Sequence, residues 1–318
     1  MSNHSQAPVV WLLTDNKPGH KNQLKGLGNR LRVLTGASLY WINAADYPVP
    51  LWRAFLGVAP AMDAAFPKPD LIVAAGTGTH RLLLSLRRLG KTLALMKPAF
   101  PLGWIDGAII PAHDEVKAAN NILQTEGVIN TITPLARLTS KPEALILVGG
   151  QSEHFDWDGD AILNQITDLI ARYPQWRWTI TDSRRTPESS TERLAELESP
   201  KISVVHHSRT HDDWLSHQLS ASRAVWVTPD SISMVCEAAT SGVPTGLLNL
   251  NARANSRVAN GIKRLADRGL VAHWADHASV MAEQAERHEQ LWEADRAARW
   301  VAGKFLASFQ KPAKEPRP

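Results

Sequence analysis

Short apolar runs recur along this chain, each ending in a Gly- or Asp-bearing loop that leads into a helical pattern. This recurrence constrains the fold more than any other feature. Val9–Thr14 reads as a buried strand and runs into DNKPGH and a helical stretch from Lys21 to Leu34. Ser38–Ile42 is a second strand. Asp70–Ala75 is a third, followed by GTGTH and a helix through Arg88, and Thr92–Met96 and Gly107–Ile110 are two more. The pattern restarts with Ala144–Val148, which ends in GGQSEH, and Trp176–Thr181, which ends in DSRRTP. Ile202–His206, a helix over Asp212–Ser220, Ala224–Val227 ending in TPDS, a helix over Ile232–Ser241 and a last strand at Pro244–Leu248 complete it. Ser279–Phe309 is helical by period. Strand, loop and helix in this order make βα units and mostly parallel sheets.

The chain's 318 residues suit two domains. Thr131–Pro142 carries two prolines and little periodicity and reads as the linker, so residues 1–135 form one Rossmann-like domain and 136–310 the other, the latter including the C-terminal helices. Residues 311–318 (KPAKEPRP) read as a disordered tail. That tail contributes +2 of the net charge of +4, so the folded body is nearly neutral, which excludes a nucleic-acid binder with a basic stripe. The single cysteine, Cys236, rules out an intrachain disulfide and points to a reducing, cytoplasmic setting. No apolar run reaches the ~20 residues of a membrane helix, and Val9–Leu13 is too short for a signal peptide's apolar core. Tryptophan is over-used, at 12 against 3 Tyr and 6 Phe. Trp104 and Trp157 lie near the loops discussed next and suit a saccharide face.

Ligands of open parallel sheets sit beyond the carboxyl ends of the strands, so the loops there carry the candidates. Gly149-Gly150 lets backbone N–H groups approach a phosphate, or is simply a tight turn. Ser183, Arg184, Arg185 and Thr186 follow a strand, and two guanidinium groups suit a diphosphate. Thr228, Ser231 and Ser233 can cap the helix that starts at Ile232, but three hydroxyls plus Asp230 exceed the need of one cap. Glu237, early in that helix, can accept hydrogen bonds from the vicinal hydroxyls of a ribose. In the first half, Asp15 and His20 are alternative general bases, and His113-Asp114 can orient an acceptor hydroxyl. The catalytic candidates are therefore Asp15, His20 and Asp114, and the donor-binding candidates Gly150, Ser183, Arg184, Arg185, Asp230, Ser231, Ser233 and Glu237. No metal site is assigned: Asp156-x-Asp158 and the His206, His207, His211 group, with Asp212 and Asp213 alongside, read as surface features without a zinc spacing.

The set DNKPGHKNQ, GTGTH, PAHD, GGQSEHFDWD, DSRRTP and TPDSISMVCEA resembles the mitochondrial-fission "elongated mitochondria" family, whose bacterial members are described as candidate glycosyltransferases. The likeness runs in order from about Val9 to Leu270. That family in turn is similar to GT-B glycosyltransferases, including the lipid-linked N-acetylglucosaminyltransferase of peptidoglycan synthesis. The resemblance implies an α/β GT-B fold of two Rossmann-like domains facing across a cleft. It implies a nucleotide sugar, a UDP-sugar in the first instance, held by the C-terminal domain, and a saccharide or lipid-linked acceptor on the N-terminal one. It also implies that Glu237 binds the ribose and that Ser231, Ser233, Ser183 and Arg184 lie near the diphosphate. DNKPGH replaces the Gly-rich first loop of the lipid-linked enzyme, so Asp15 competes with His20 as base. The expected reaction needs no metal and no cofactor besides the donor. The alternative is a non-catalytic adaptor at a membrane surface, supported by the exposed-looking stretch Pro50–Leu56, which reads more readily as an ordinary amphipathic helix packed on the sheet. An epimerase with a Gly-x-Gly-x-x-Gly loop and a Tyr-x-x-x-Lys pair is weaker, because both motifs are missing.

Overall fold

The computed structural model describes residues 7–282 and 290–309. The chain divides into two compact units, one made of residues 1–131 and 293–318 and the other of 132–292.

In the first unit the elements run β1 (Val9–Thr14), α1 (Pro18–Thr35), β2 (Ser38–Asn43), α2 (Leu51–Leu56), β3 (Leu71–Ala75), α3 (His80–Leu86), β4 (Lys91–Leu95), β5 (Gly107–Pro111) and β6 (Ile122–Thr125). The six strands form one sheet in the order β2-β1-β3-β4-β5-β6, and every pairing is parallel. The central strands β1, β3, β4 and β5 are apolar on both faces, and Leu71–Ala75 is buried at every position, because α-helices cover a parallel sheet on both sides. Trp11, Leu13, Ile72, Leu83 and Ile110 form the core of one face.

In the second unit the order is β7 (Glu143–Leu147), β8 (Phe155–Asp156), α4 (Gly159–Arg172), β9 (Arg177–Thr181), α5 (Glu188–Ala195), β10 (Ile202–Val205), α6 (Trp214–Ala221), β11 (Ala224–Val227), α7 (Ile232–Ser241), β12 (Thr245–Leu247), β13 (Asn251–Ala252), α8 (Arg257–Asp267) and α9 (His277–Val280). Its parallel sheet has the order β10-β9-β7-β11-β12, with β8 and β13 forming a small antiparallel pair. Trp176, Trp178 and Trp226 fill its core with Ile146 and Ile166, and with buried Trp11 of the first unit they take up part of the tryptophan excess.

Three expectations need correction. The last helix, α10 (Glu293–Phe305), belongs to the first unit and not to the second. Arg30 on α1 donates to Asp295 (Nε to Oδ1, 3.1 Å), and Arg296 reaches the carbonyl of Gln124 on β6 at 2.6 Å. Burial opposes the ionised form of Asp295, but Arg299 and Arg30 hold its carboxyl below the usual range. The division falls at 131/132 rather than at 135/136. The continuous helical pattern from Ser279 is interrupted: residues 277–280 and 293–305 are helical, and 283–289 lie outside the described residues, as does the 311–318 tail.

Candidate functional site

Both sheets reverse their winding direction at one point, and there the loops of two neighbouring strands diverge to leave a crevice. In the first unit the switch lies between β1 and β3. The loop after β1 supplies Asp15, and α1 supplies His20 from its first turn. Nδ1 of His20 lies 2.8 Å from Oδ1 and 3.0 Å from Oδ2 of Asp15. A carboxylate accepts only, so Nδ1 carries the proton and Nε2 presents a lone pair. The loop after β3 closes over this pair. Gly76 sits at φ +87°, and a Cβ there would lie 2.2 Å from His20 Nδ1 and 2.6 Å from Asp15 Oδ2. Only glycine allows so close an approach in that conformation. His80, at the start of α3, feels both groups: burial pushes its imidazole below the ordinary range, with Asp15 acting upward and His20 downward.

A row of rings leads away from this cluster. His80 packs edge-on against Phe100 at 5.0 Å, Phe100 stacks with Trp104 at 6.5 Å, and Trp104 meets Phe55 of α2 at 5.8 Å. It ends on α2, whose Leu51, Trp52, Phe55 and Leu56 are all exposed. Asp114 lies after β5, where its carbonyl accepts from Lys97 Nζ at 3.4 Å.

In the second unit the switch lies between β7 and β11. Here three of the expected donor residues bond to one another. Gly150 N–H donates to Asp230 Oδ2 at 3.0 Å, and Arg185 Nη2 donates to the same oxygen at 2.7 Å. Arg185 also holds the Gln151 carbonyl at 2.9 Å. Gly150, Arg185 and Asp230 therefore tie three loops together, because Asp230 is buried and takes the nearest donors. Gly149 and Gly150 are required for this closeness: a Cβ would lie 2.3 Å from the Asp230 carboxylate at Gly149 and 2.0 Å from the Arg185 carbonyl at Gly150. Thr228, a candidate cap, instead accepts from Gly149 N–H at 2.7 Å. Ser183 accepts from Arg185 N–H at 3.2 Å and pairs with Thr186.

What remains open is the start of α7. Its N-cap residue Ser231 makes no side-chain cap hydrogen bond, so the first N–H groups of this helix lack that acceptor. Ser231 and Ser233 are half-buried at that terminus, Glu237 is half-buried one turn further, and Arg184 is exposed in the neighbouring β9 loop. Beside the Gly149-Gly150 loop a cavity of about 550 Å³ is lined by Gln151, Ser152, Glu153, Phe155, Trp157 and Arg253. Asp156 is paired with Arg253 at 2.8 Å, and Asp158 caps α4 through Ala161 N–H. His80, Gly76 and Asp182 were given no role by sequence reasoning; their positions at strand ends were the only available signal.

Among solved structures, *Acinetobacter baumannii* MurG aligns with a TM-score of 0.53 at 14% identity, over 93% of this chain and 99% of that one. The UDP-GlcNAc 2-epimerase of Neisseria meningitidis, bound to UDP-GlcNAc, aligns with a TM-score of 0.55 at 11% identity, over 94% and 99%. The fold is GT-B. The uncharacterized protein RP120 of Rickettsia prowazekii (strain Madrid E) is 22% identical over 293 residues, 74% of this chain and 81% of that protein. No helix among the described residues is long and apolar enough to cross a membrane. The family described as Mitochondrial fission ELM1 matches residues 18–305, nearly the whole chain, and this protein belongs to it.

Proposed function

We propose that this protein is a glycosyltransferase that moves a sugar from a UDP-sugar to a hydroxyl of a saccharide or lipid-linked acceptor without a required metal. The observation that carries the reading is the Asp15–His20 pair, a preorganised base at the switch point of a GT-B unit. His20 Nε2 takes the acceptor proton while Asp15 stabilises the imidazolium that forms. The acceptor oxygen bonds to the anomeric carbon, the bond from that carbon to the diphosphate breaks, and UDP leaves with the electron pair. The uncapped start of α7, with Ser231, Ser233 and Arg184, receives the diphosphate, and Glu237 takes the ribose hydroxyls. The cavity next to Trp157 offers room for the sugar. The exposed apolar face of α2 favours an acceptor that carries a lipid, reached by the protein from the cytoplasmic side.

Calorimetric titration with UDP, GDP and CMP sugars tests this. Binding of UDP-sugars that weakens in Glu237→Ala supports it; no binding by any of them, with Glu237→Ala indistinguishable from wild type, overturns it. Incubation with UDP-GlcNAc alone distinguishes transfer from C2 epimerisation, a reading favoured by the epimerase neighbour. The adaptor reading is favoured by the same α2 face and predicts vesicle binding with no nucleotide affinity.

A further inference from the structure

We infer that Asp182, His206 and His207, none of them given a part in donor or acceptor binding, form a binding site for a divalent transition metal of the zinc class. The sheet register creates it. Val205 on β10 lies opposite Thr181 on β9, so the next residue of each strand, His206 and Asp182, emerges side by side at the carboxyl edge. His207 Nδ1 is 3.2 Å from Asp182 Oδ1, and His206 Nε2 is 3.5 Å from Oδ2. One ligand atom from each residue falls within 4.8 Å of the others. Bonds of about 2.0–2.1 Å in a tetrahedron set ligand atoms about 3.3–3.4 Å apart, so the two rings, each facing its own oxygen of the carboxylate, need only a small adjustment to share one ion.

The surroundings are those of a prepared site. Asp182, 4% exposed at its side chain, is fixed by the Thr191 hydroxyl at 3.0 Å and the His207 N–H at 2.5 Å. His206 Nδ1 accepts from the Ser208 N–H at 3.3 Å and lies 2.7 Å from Ser208 Oγ, which fixes the ring with Nε2 toward Asp182. With a metal on Nε2 the ring proton would move to Nδ1 and be donated to Ser208 Oγ, the kind of partner that orients metal-bound histidines. The His206 and His207 rings are 39% and 31% exposed, which leaves an entry path and room for water ligands. Two imidazoles and one carboxylate select first-row metals such as zinc or cobalt over magnesium or calcium. His211, which shared the sequence cluster, is exposed and outside the trio.

The test is titration of metal-stripped protein with Zn2+ by calorimetry, and with Co2+ by visible absorption. The wild type and a His211→Ala control are expected to bind one equivalent at this site and to gain thermal stability with Zn2+. His206→Ala/His207→Ala, which alters only part-exposed rings, is expected to lose that equivalent, the cobalt band and the stabilisation. Ser208→Ala should weaken binding by about 10–100-fold. Equal stoichiometry and affinity in the wild type and the double variant, or no binding by the folded wild type, overturns the inference. Asp182→Asn, checked for its metal-free melting curve, separates loss of a ligand from loss of the loop.

Discussion

Both carboxylate oxygens of Asp15 lie within hydrogen-bond distance of one nitrogen of His20, at 2.8 and 3.0 Å. The two residues, alternatives as base from sequence, thus have complementary parts. Replacing His20 by Ala should lower kcat by about 10²–10⁴-fold, the usual contribution of a positioned base. Asp15→Asn should also lower it while leaving donor affinity unchanged. Release of UDP during transfer, with calorimetry for the donor, measures both.

Gly76→Ala should damage this pair directly. The residue's φ of +87° and a Cβ 2.2 Å from His20 Nδ1 leave no room for a methyl group. A loss of about 1–3 kcal/mol is expected in chemical denaturation. Gly19→Ala, with no atom within 4 Å of the new carbon, is the control and should be neutral or slightly stabilising.

His80 should titrate below an ordinary histidine, because burial disfavours its charged form. Asp15→Asn should push the midpoint lower still, and His20→Asn should raise it, both readable by NMR. The sign for stability follows. A depressed folded value gives stability that is present above the unfolded imidazole value and lost as pH falls through the folded one. His80→Gln should therefore reduce the acid sensitivity of unfolding.

Asp230→Ala should act on the fold before it acts on the donor. It leaves the buried Gly150 N–H without its acceptor and Arg185 without its partner, at a cost of about 1–3 kcal/mol. Equilibrium denaturation reads this without any nucleotide present.

Ser231→Ala and Ser233→Ala should do the opposite. Neither hydroxyl caps α7, so stability should hardly change while UDP affinity falls. Unchanged affinity in the double variant would remove both residues from the donor site.

The fold was legible because its signal is local. Ala224–Val227 and Ile232–Ser241 are a strand and a helix as read, since a short apolar run and a 3.6-residue period are each visible in a small window. The return of α10 was not legible, because nothing within Glu293–Phe305 encodes which of two similar sheets its apolar face will meet. The site was half legible for the same reason. The loops were found from strand ends, but whether Arg185 faces a ligand or Asp230 depends on residues 45 positions apart meeting across two strands. Asp182 joins His206 only through strand register, which no spacing of histidines reveals.

The capture of α10 by the first unit has a consequence for synthesis. Arg30 is made early, while its partner Asp295 is made 265 residues later. On a ribosome that extends the chain from its N-terminus, the α1 face that α10 covers stays open until residues 132–292 have been translated. The second unit is contiguous and can complete itself first, so the half that begins the chain is the half that finishes folding last.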